Sequence, residues 1–143
     1  MEAALDEARA SAARDEVPVG AVVVHEGAIV ARAGNSRESD QDPFGHAELT
    51  AMREAARVLG SWRLTGCTLY VTLEPCTMCA GAIVLSRVER VVFAASDPKA
   101  GAVGSLYDIP ADERLNHRPI VEAGLLAEEA GRLLKDFFRA KRG

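Results

Sequence analysis

The stretch that decides the fold runs from residue 68 to residue 85 and reads TLYVTLEPCTMCAGAIVL. Its first third, Thr68 to Leu73, is an apolar run of the kind that forms a strand buried in a sheet. Pro75 suits the first turn of a helix, and we expect that helix to run from about Thr77 to Leu85. A buried strand that leads directly into a helix is typical of α/β folds.

The rest of the chain alternates strands and helices around this unit. Its further predicted elements are an N-terminal helix before Glu16, a hairpin with strands over 19–25 and 28–33, a helix over 46–59, a strand over 91–95 and a closing helix over 128–141. Residues 97–119 are rich in Gly, Pro and Asp and are predicted to be largely loop. This order predicts a three-layer α/β/α sandwich on a central mixed sheet of about five strands.

Bulk properties limit the possible classes of protein. The chain has 143 residues, 48% hydrophobic and 27% charged, and no internal boundary, so residues 1–143 are expected to form a single globular domain. No apolar run approaches the ~20 residues that cross a bilayer. The acidic N-terminus lacks the features of a signal peptide, which predicts a cytoplasmic protein. The net charge of -4 argues against nucleic-acid binding through a wholly basic surface, but it leaves a local basic patch possible.

Three residues offer good ligands for zinc. Cys76 and Cys79 lie one helical turn apart at the start of a predicted helix, and His46 opens another helix. An imidazole with two thiolates favours zinc, and a shell of three protein ligands is typical of a catalytic ion that keeps a position for water. A closed structural site would need a fourth ligand. Cys67 is the only further cysteine, and the predicted strand puts it roughly 30 Å from Cys76 at ~3.3 Å per residue.

Glu48 is a candidate for proton transfer beside this metal. It lies two positions after His46, so the two side chains do not share a helical face. His46 can therefore hold the metal while Glu48 points toward the water position, where a carboxylate can move protons to a leaving group. The alternative, a redox Cys-x-x-Cys pair, leaves the His-x-Glu pattern unexplained.

These patterns together resemble the cytidine and deoxycytidylate deaminase superfamily of zinc enzymes, in which the glutamate is not a zinc ligand. The closest branch is the bacterial tRNA-specific adenosine deaminases. The resemblance covers nearly the whole chain and is carried by EVPVGAVVV (16–24), Asn35, LYVTLEPC (69–76), MCAGAI (78–83), GAVGSL (101–106), NH (116–117) and DFFR (136–139). It implies a cytidine deaminase-like fold, and a homodimer that uses Zn²⁺ to convert adenosine to inosine at the tRNA wobble position.

The resemblance also implies roles for single residues. Glu48 would protonate the adenine ring and then the departing ammonia. Asn35 corresponds to an asparagine that contacts the base or ribose, and Asp97 to a loop aspartate beside the flipped nucleotide. Ala47, between the metal ligand and Glu48, is expected to border the substrate.

One position departs from the family pattern. Before the zinc histidine the family usually has Thr-Ala, whereas this chain has Phe44-Gly45. Phe44 could stack on an unpaired base, as aromatic side chains do at ~1–3 kcal/mol per base, or it could pack under its own loop. The departure bears on the preference for tRNA sequence more than on the chemistry.

The C-terminus is the one basic part of an acidic chain. Its cations are Arg132, Lys135, Arg139, Lys141 and Arg142. They either contact the phosphates of a tRNA anticodon loop or complement the dipole of the closing helix.

Two other functions remain open at this point. The chain could deaminate a free base or nucleoside, such as guanine, cytosine or cytidine, or it could be a non-catalytic subunit that binds RNA. The presence of Glu48 speaks against the second, because a purely structural zinc site has no need of that carboxylate. The basic C-terminus and the segment over 101–106 favour a polymeric substrate.

Overall fold

A five-stranded sheet lies between two layers of helices in the computed structural model, which describes all 143 residues. In chain order the elements are α1 (Glu2–Ala13), β1 (Gly20–His25), β2 (Ala28–Gly34), α2 (Ala47–Leu59), β3 (Cys67–Leu73), α3 (Thr77–Leu85), β4 (Arg90–Ala95), a short 3-10 helix (Ile109–Ala111), β5 (Ile120–Ala123) and α4 (Ala127–Arg142). None of the helices is both long and apolar enough to cross a membrane.

The sheet is mixed, with the strands in the order β2-β1-β3-β4-β5. Strand β1 pairs antiparallel with both β2 and β3, whereas β3, β4 and β5 run parallel. In the central strand β3, Cys67, Leu69 and Val71 are fully buried and point to one face because alternate residues of a strand share a face. The predicted apolar strand is therefore the middle of the sheet.

The helices form one layer on each side of this sheet. Helices α2 and α3 enclose the main core of 20 buried residues, which includes Cys67, while α1 and α4 cover a smaller cluster of Leu5, Ala94 and Ala130 on the other face. A Cβ atom at Gly20 would lie 2.0 Å from the carbonyl oxygen of Ala4, so α1 crosses directly over the start of β1. The predicted three-layer α/β/α sandwich is confirmed.

Both helices that carry the predicted metal ligands begin at the same edge of the sheet. Parallel strands β3 and β4 end there, at Leu73 and Ala95. His46 is the extended N-cap residue of α2, and Cys76 is the extended N-cap residue of α3. Helix α3 spans the predicted residues, and α2 begins one residue later than predicted. The ends of strands in α/β sheets are where ligand sites commonly lie.

Strand β5 was not predicted from the sequence patterns. Its four residues are all exposed, so it lacks both the apolar run and the alternation that indicate a buried strand. It is held instead by its parallel pairing with β4, from Arg90–Ile120 to Phe93–Ala123.

Candidate active site

A cavity of about 450 Å³ opens at the edge of the sheet where β3 and β4 end. Its volume is in the range of small-molecule sites. It is lined by Val17, Val19, Asn35, Arg37, His46, Ala47, Glu48, Leu73, Glu74, Cys76, Ser96, Asp97, Lys99, Ala100, Leu134 and Phe138. The lining therefore comes from both ends of the chain as well as from the two motifs.

The three predicted zinc ligands converge at this cavity. The Nδ1 atom of His46 lies 3.6 Å from the Sγ atom of Cys76 and 3.4 Å from that of Cys79. A tetrahedral zinc ion with bonds of ~2.0–2.1 Å to nitrogen and ~2.3 Å to sulfur needs such atoms about 3.5 Å apart. All three ligand atoms lie within 4.8 Å of one another. The donor set thus fits zinc in both chemistry and spacing.

The two sulfur atoms have very different proton affinities. The pKa of Cys76 falls to about 3, first because the Cys79 thiol donates a hydrogen bond to its sulfur and then because His46 also bonds to it. The pKa of Cys79 is raised, because its proton is held against the Cys76 sulfur and because the group is buried. Metal binding must displace this shared proton, since thiolates are the form that binds zinc.

Glu48 lies in the same cavity but outside the three-ligand group. Its side chain belongs to the first turn of α2 and is 4% exposed. Burial raises the pKa of this carboxyl, because the charged form loses its hydration. A carboxyl of this kind can hold and release a proton beside a metal site.

Asn35 lines the cavity at the end of β2. Its main-chain N–H donates to the carbonyl of Val19 at 3.0 Å, and its side-chain oxygen accepts from the N–H of Arg37 at 3.1 Å. One lone pair of this oxygen is therefore used within the chain. The amide nitrogen is the group that remains to donate a hydrogen bond to a ligand.

Asp97 and Ala47 also line the cavity. The Oδ1 atom of Asp97 accepts from the N–H groups of Lys99 at 3.0 Å and Ala100 at 3.2 Å, so it shapes the turn after β4. Its second oxygen is left available to a ligand. Ala47 is fully buried at the first position of α2, where a larger side chain would occupy the space beside the metal ligands.

Phe44 is the one predicted contact residue that does not line the cavity. It lies on the loop just before His46, and its side chain is 58% exposed, so it does not pack under that loop. Next to it, a Cβ atom at Gly45 would lie 2.9 Å from the main-chain nitrogen of Arg37. The glycine therefore allows the loop to pack tightly against the segment that carries Asn35.

Two buried glutamates were not assigned roles from the sequence, and one of them, Glu74, lines the cavity. Glu16 is 1% exposed and accepts hydrogen bonds from the N–H groups of Glu38 and Ser39. Burial opposes the charge of Glu74, yet four hydrogen bonds from Ser105, Asp97 and Val103 outweigh it and lower its pKa. The available signal at Glu74 was its position directly after the apolar run that forms β3.

Helix α4 also contributes to the cavity in a way the sequence did not predict. Phe137 and Phe138 make an edge-to-face pair with ring centroids 5.4 Å apart, and Phe138 is 43% exposed. Leu134 and Phe138 line the cavity, one turn apart on α4. No local pattern indicates this, because the contact depends on how α4 packs across the sheet.

Comparison with known proteins identifies the family. Residues 1–95 match the model of the cytidine and deoxycytidylate deaminase zinc-binding region. A tRNA-specific adenosine deaminase from Bacillus subtilis (strain 168) is 54% identical over 142 residues, which cover 99% of this chain and 88% of that protein. One from Agrobacterium fabrum is 48% identical and covers 99% of this chain and 93% of that protein.

Solved structures of similar proteins support the same family assignment. One from a study of A-to-I editing by tRNA:A34 deaminases at the wobble position is 47% identical, with a TM-score of 0.90 over 94% of this chain and 97% of that one. A guanine deaminase from Nitrosomonas europaea is 28% identical, with a TM-score of 0.78 over 94% of this chain and 80% of that one. The chain belongs to the cytidine and deoxycytidylate deaminase family of zinc enzymes and, within it, to the tRNA-specific adenosine deaminases.

The ligand assignment predicts a clear difference between the cysteines. Mutation of a residue that only hydrogen-bonds to a metal ligand typically lowers metal affinity ~10–100-fold. Cys79→Ala should lower zinc affinity by more than this, because it removes a direct ligand. Cys67→Ala should keep a full equivalent of zinc, because Cys67 is buried in the core away from the cavity. Zinc content after gel filtration, with circular dichroism to confirm folding, measures both. Full zinc in Cys79→Ala would contradict the assignment.

Proposed function

We propose that this chain catalyses the hydrolytic deamination of adenosine to inosine at the wobble position of tRNA, with zinc as its cofactor. The observation that carries the chemistry is the convergence of His46, Cys76 and Cys79 with the buried Glu48 on one cavity. The likeness to tRNA-specific adenosine deaminases over 99% of the chain supports the substrate.

The chain's own residues perform most of the reaction. His46, Cys76 and Cys79 would hold the zinc ion, and the bound ion would supply a Lewis acid that lowers the pKa of water to about 7. Glu48 then moves protons. It takes one from the attacking water and gives it to the ring nitrogen beside the attacked carbon. It then takes the proton of the hydroxyl now on that carbon and gives it to the amino group, which leaves as ammonia while the carbonyl of inosine forms. Its burial suits this work, because a raised pKa makes the carboxylate a stronger acceptor for the proton of the attacking water.

Other cavity residues bind and orient the nucleoside. The amide nitrogen of Asn35 donates to the base or ribose, and the free oxygen of Asp97 accepts from the same nucleotide. Ala47 leaves room for the base next to the metal. The apolar side chains of Leu73 and Leu134 exclude water from the reacting atoms.

Replacing Glu48 tests the proton-transfer role. Glu48→Gln has almost the same shape and leaves all three ligands in place, so zinc content should stay at the wild-type level. The kcat should fall by ~10²–10⁴-fold, which is the usual contribution of a general acid–base residue. Inosine formation and zinc content are measured on the same sample. A variant with wild-type kcat would remove Glu48 from the mechanism.

The identity of the substrate needs its own comparison. The guanine deaminase of similar fold makes a free base the second candidate. Wild-type protein is offered an anticodon stem-loop with adenosine at the wobble position and, separately, free adenosine, cytidine and guanine. We expect inosine and ammonia from the stem-loop only. Deamination of the free compounds alone would overturn the tRNA assignment.

We propose that the whole chain, residues 1–143, forms one deaminase domain. The family model ends at residue 95, yet Asp97, Leu134 and Phe138 line the cavity from beyond that point. The site therefore needs the C-terminal part of the chain. Action on tRNA would place the enzyme in the cytoplasm.

The C-terminal end of α4 is suited to contact RNA phosphates. Arg139 pairs with Asp136 at 3.9 Å and Lys141 with Asp15 at 2.6 Å, whereas Lys135 and Arg142 make no ion pair. Lys135 precedes the cavity residue Phe138 along α4, and Arg139, Lys141 and Arg142 follow it. They can offset the phosphate charge of an anticodon loop whose wobble base has entered the site.

Phe44 is proposed to stack on a base next to the deaminated nucleotide. An aromatic side chain that is 58% exposed, two residues from a metal ligand, is placed to meet a flanking base rather than the base inside the cavity. Base stacking contributes ~1–3 kcal/mol. Free adenosine has no flanking base, so Phe44 should matter only for the RNA.

Phe44→Ala should therefore raise the KM for the stem-loop by ~5–150-fold, from the loss of stacking. Phe44→Trp should restore the wild-type KM. The matched control is Trp62→Ala, since Trp62 is equally exposed at 57% but lies in the loop before β3, at the opposite end of the sheet. An equal rise in KM for Phe44→Ala and Trp62→Ala would refute a specific role for Phe44.

Helix α3 provides a surface for a homodimer. It runs TMCAGAIVL without a charged residue, and helices that are apolar on all sides are normally buried. Cys79, Ala80, Ile83 and Val84 face the core, but Leu85 on the outer side is 70% exposed. Nothing lies within 4 Å of a Cβ atom at Gly81, so a second copy could approach closely there. We propose that two copies pair through this face.

Leu85→Glu should convert the dimer to a monomer, because it places a charge at the centre of an apolar contact. Ile29→Glu is the control, since Ile29 is 42% exposed on β2, far from α3 in the strand order. Analytical ultracentrifugation gives the mass of each. Wild-type protein that sediments as a monomer, or a Leu85→Glu variant that remains a dimer, would rule out this interface.

A further inference from the structure

The carboxylate of Glu74 is the most heavily bonded polar group at the cavity. It follows β3, two residues before the ligand Cys76, and is 3% exposed. Its Oε1 atom accepts from the main-chain N–H of Asp97 at 3.0 Å and from the hydroxyl of Ser105. Its Oε2 atom accepts from the main-chain N–H groups of Val103 and Ser105, each at 3.0 Å.

The loop over 97–105 is wrapped around this carboxylate. A Cβ atom at Gly101 would lie 2.3 Å from the carboxylate carbon of Glu74, so only a glycine allows the loop to approach this closely. Beside it, the N–H of Ala102 donates to the carbonyl of Pro75 at 2.8 Å. A loop without a strand or helix must satisfy its main-chain donors in another way, and here a side chain accepts three of them.

The same loop forms part of the cavity. Asp97, Lys99 and Ala100 line it, whereas Val103 and Ser105 do not. Through their main-chain contacts, the two oxygens of Glu74 therefore hold different parts of the loop, and the Ser105 hydroxyl adds a further bond to Oε1. Oε1 holds the end that lines the cavity, through Asp97, and Oε2 holds the distant end, through Val103 and Ser105.

We infer that Glu74 is a positioning residue for the substrate: by holding Asp97 it fixes the wall of the cavity formed after β4. This inference rests on the proposed function, in which the free oxygen of Asp97 contacts the nucleotide. Glu74 itself touches neither the substrate nor the metal in this role. Its loss should weaken substrate binding while zinc content and the chemical step stay close to those of the wild type.

Glu74→Gln separates the two halves of the loop. A glutamine has one oxygen and one NH₂ group, and the NH₂ group cannot face the two N–H donors at Oε2. It must take the Oε1 side, where the hydroxyl of Ser105 can turn and accept from it. Only the N–H of Asp97 then loses its partner. The variant thus releases the cavity end of the loop and leaves the distant end bound.

Two further variants complete the test. Gly101→Ala keeps Glu74 but displaces the loop, because the added methyl group would collide with the Glu74 carboxylate. It should raise the KM as Glu74→Gln does. It also replaces that variant in the test if Glu74→Gln fails to fold. Ser105→Ala is the matched control. It removes one hydrogen bond to Oε1 but keeps the bond to Asp97, so its KM should stay within about twofold of the wild type.

The measurement is steady-state kinetics on the wobble-adenosine stem-loop, with zinc content and melting temperature of each variant. For Glu74→Gln and Gly101→Ala we expect a KM raised about tenfold, the effect of one lost hydrogen bond to a charged group, with kcat per bound zinc little changed. Binding of the stem-loop to the same variants in the Glu48→Gln background, followed by fluorescence anisotropy, should weaken by the same factor.

Three results would overturn the inference. They are an unchanged KM in both variants, a fall in kcat per zinc without a rise in KM, or an equal rise in Ser105→Ala. The wild type on the same stem-loop tests the proposed function independently. If it deaminates only a free base, the proposed function fails, and the same comparison of KM on that base still decides the role of Glu74.

Discussion

The site depends on the approach of one imidazole nitrogen to two sulfur atoms, at 3.4 and 3.6 Å, across two different helices. Helices α2 and α3 must start at the same edge of the sheet to bring these atoms together. The parallel pairing of β3 with β4 and the extended N-cap residues His46 and Cys76 provide that arrangement. The rest of the fold holds the two helix ends in place around this contact.

The cavity at this edge of the sheet is lined in part by loops. Because these loops belong to no helix or strand, their main-chain N–H groups lack the regular hydrogen bonds of those elements. Buried main-chain donors need acceptors, because an unsatisfied one costs about 1–3 kcal/mol. Glu16 meets this need in the loop before α2, and Glu74 meets it in the loop after β4 that lines the cavity. Buried charge is expensive unless it is fully bonded, and at Glu74 four hydrogen bonds provide that compensation.

Helix α3 joins three parts of the molecule. Its N-terminus supplies Cys76 and Cys79, its inner face packs Ile83 into the main core, and its outer face leaves Leu85 exposed. The metal ligands are therefore held on an element fixed from the inside by the core. Pairing of two chains through the outer face would fix the same helix from both sides.

The sequence by itself determined the chemistry and most of the fold. Apolar runs and helix signals gave four strands and all four α-helices, because these patterns report burial that is local to each element. The spacing of His46, Cys76 and Cys79 predicted a candidate metal site with Glu48 beside it, because few residue types bind zinc. Tertiary structure alone decided the exposed strand β5, the carboxylates that hold the loops, and the presence of Phe138 but not Phe44 in the cavity. These features depend on contacts between distant parts of the chain, which leave no periodic signal in the sequence.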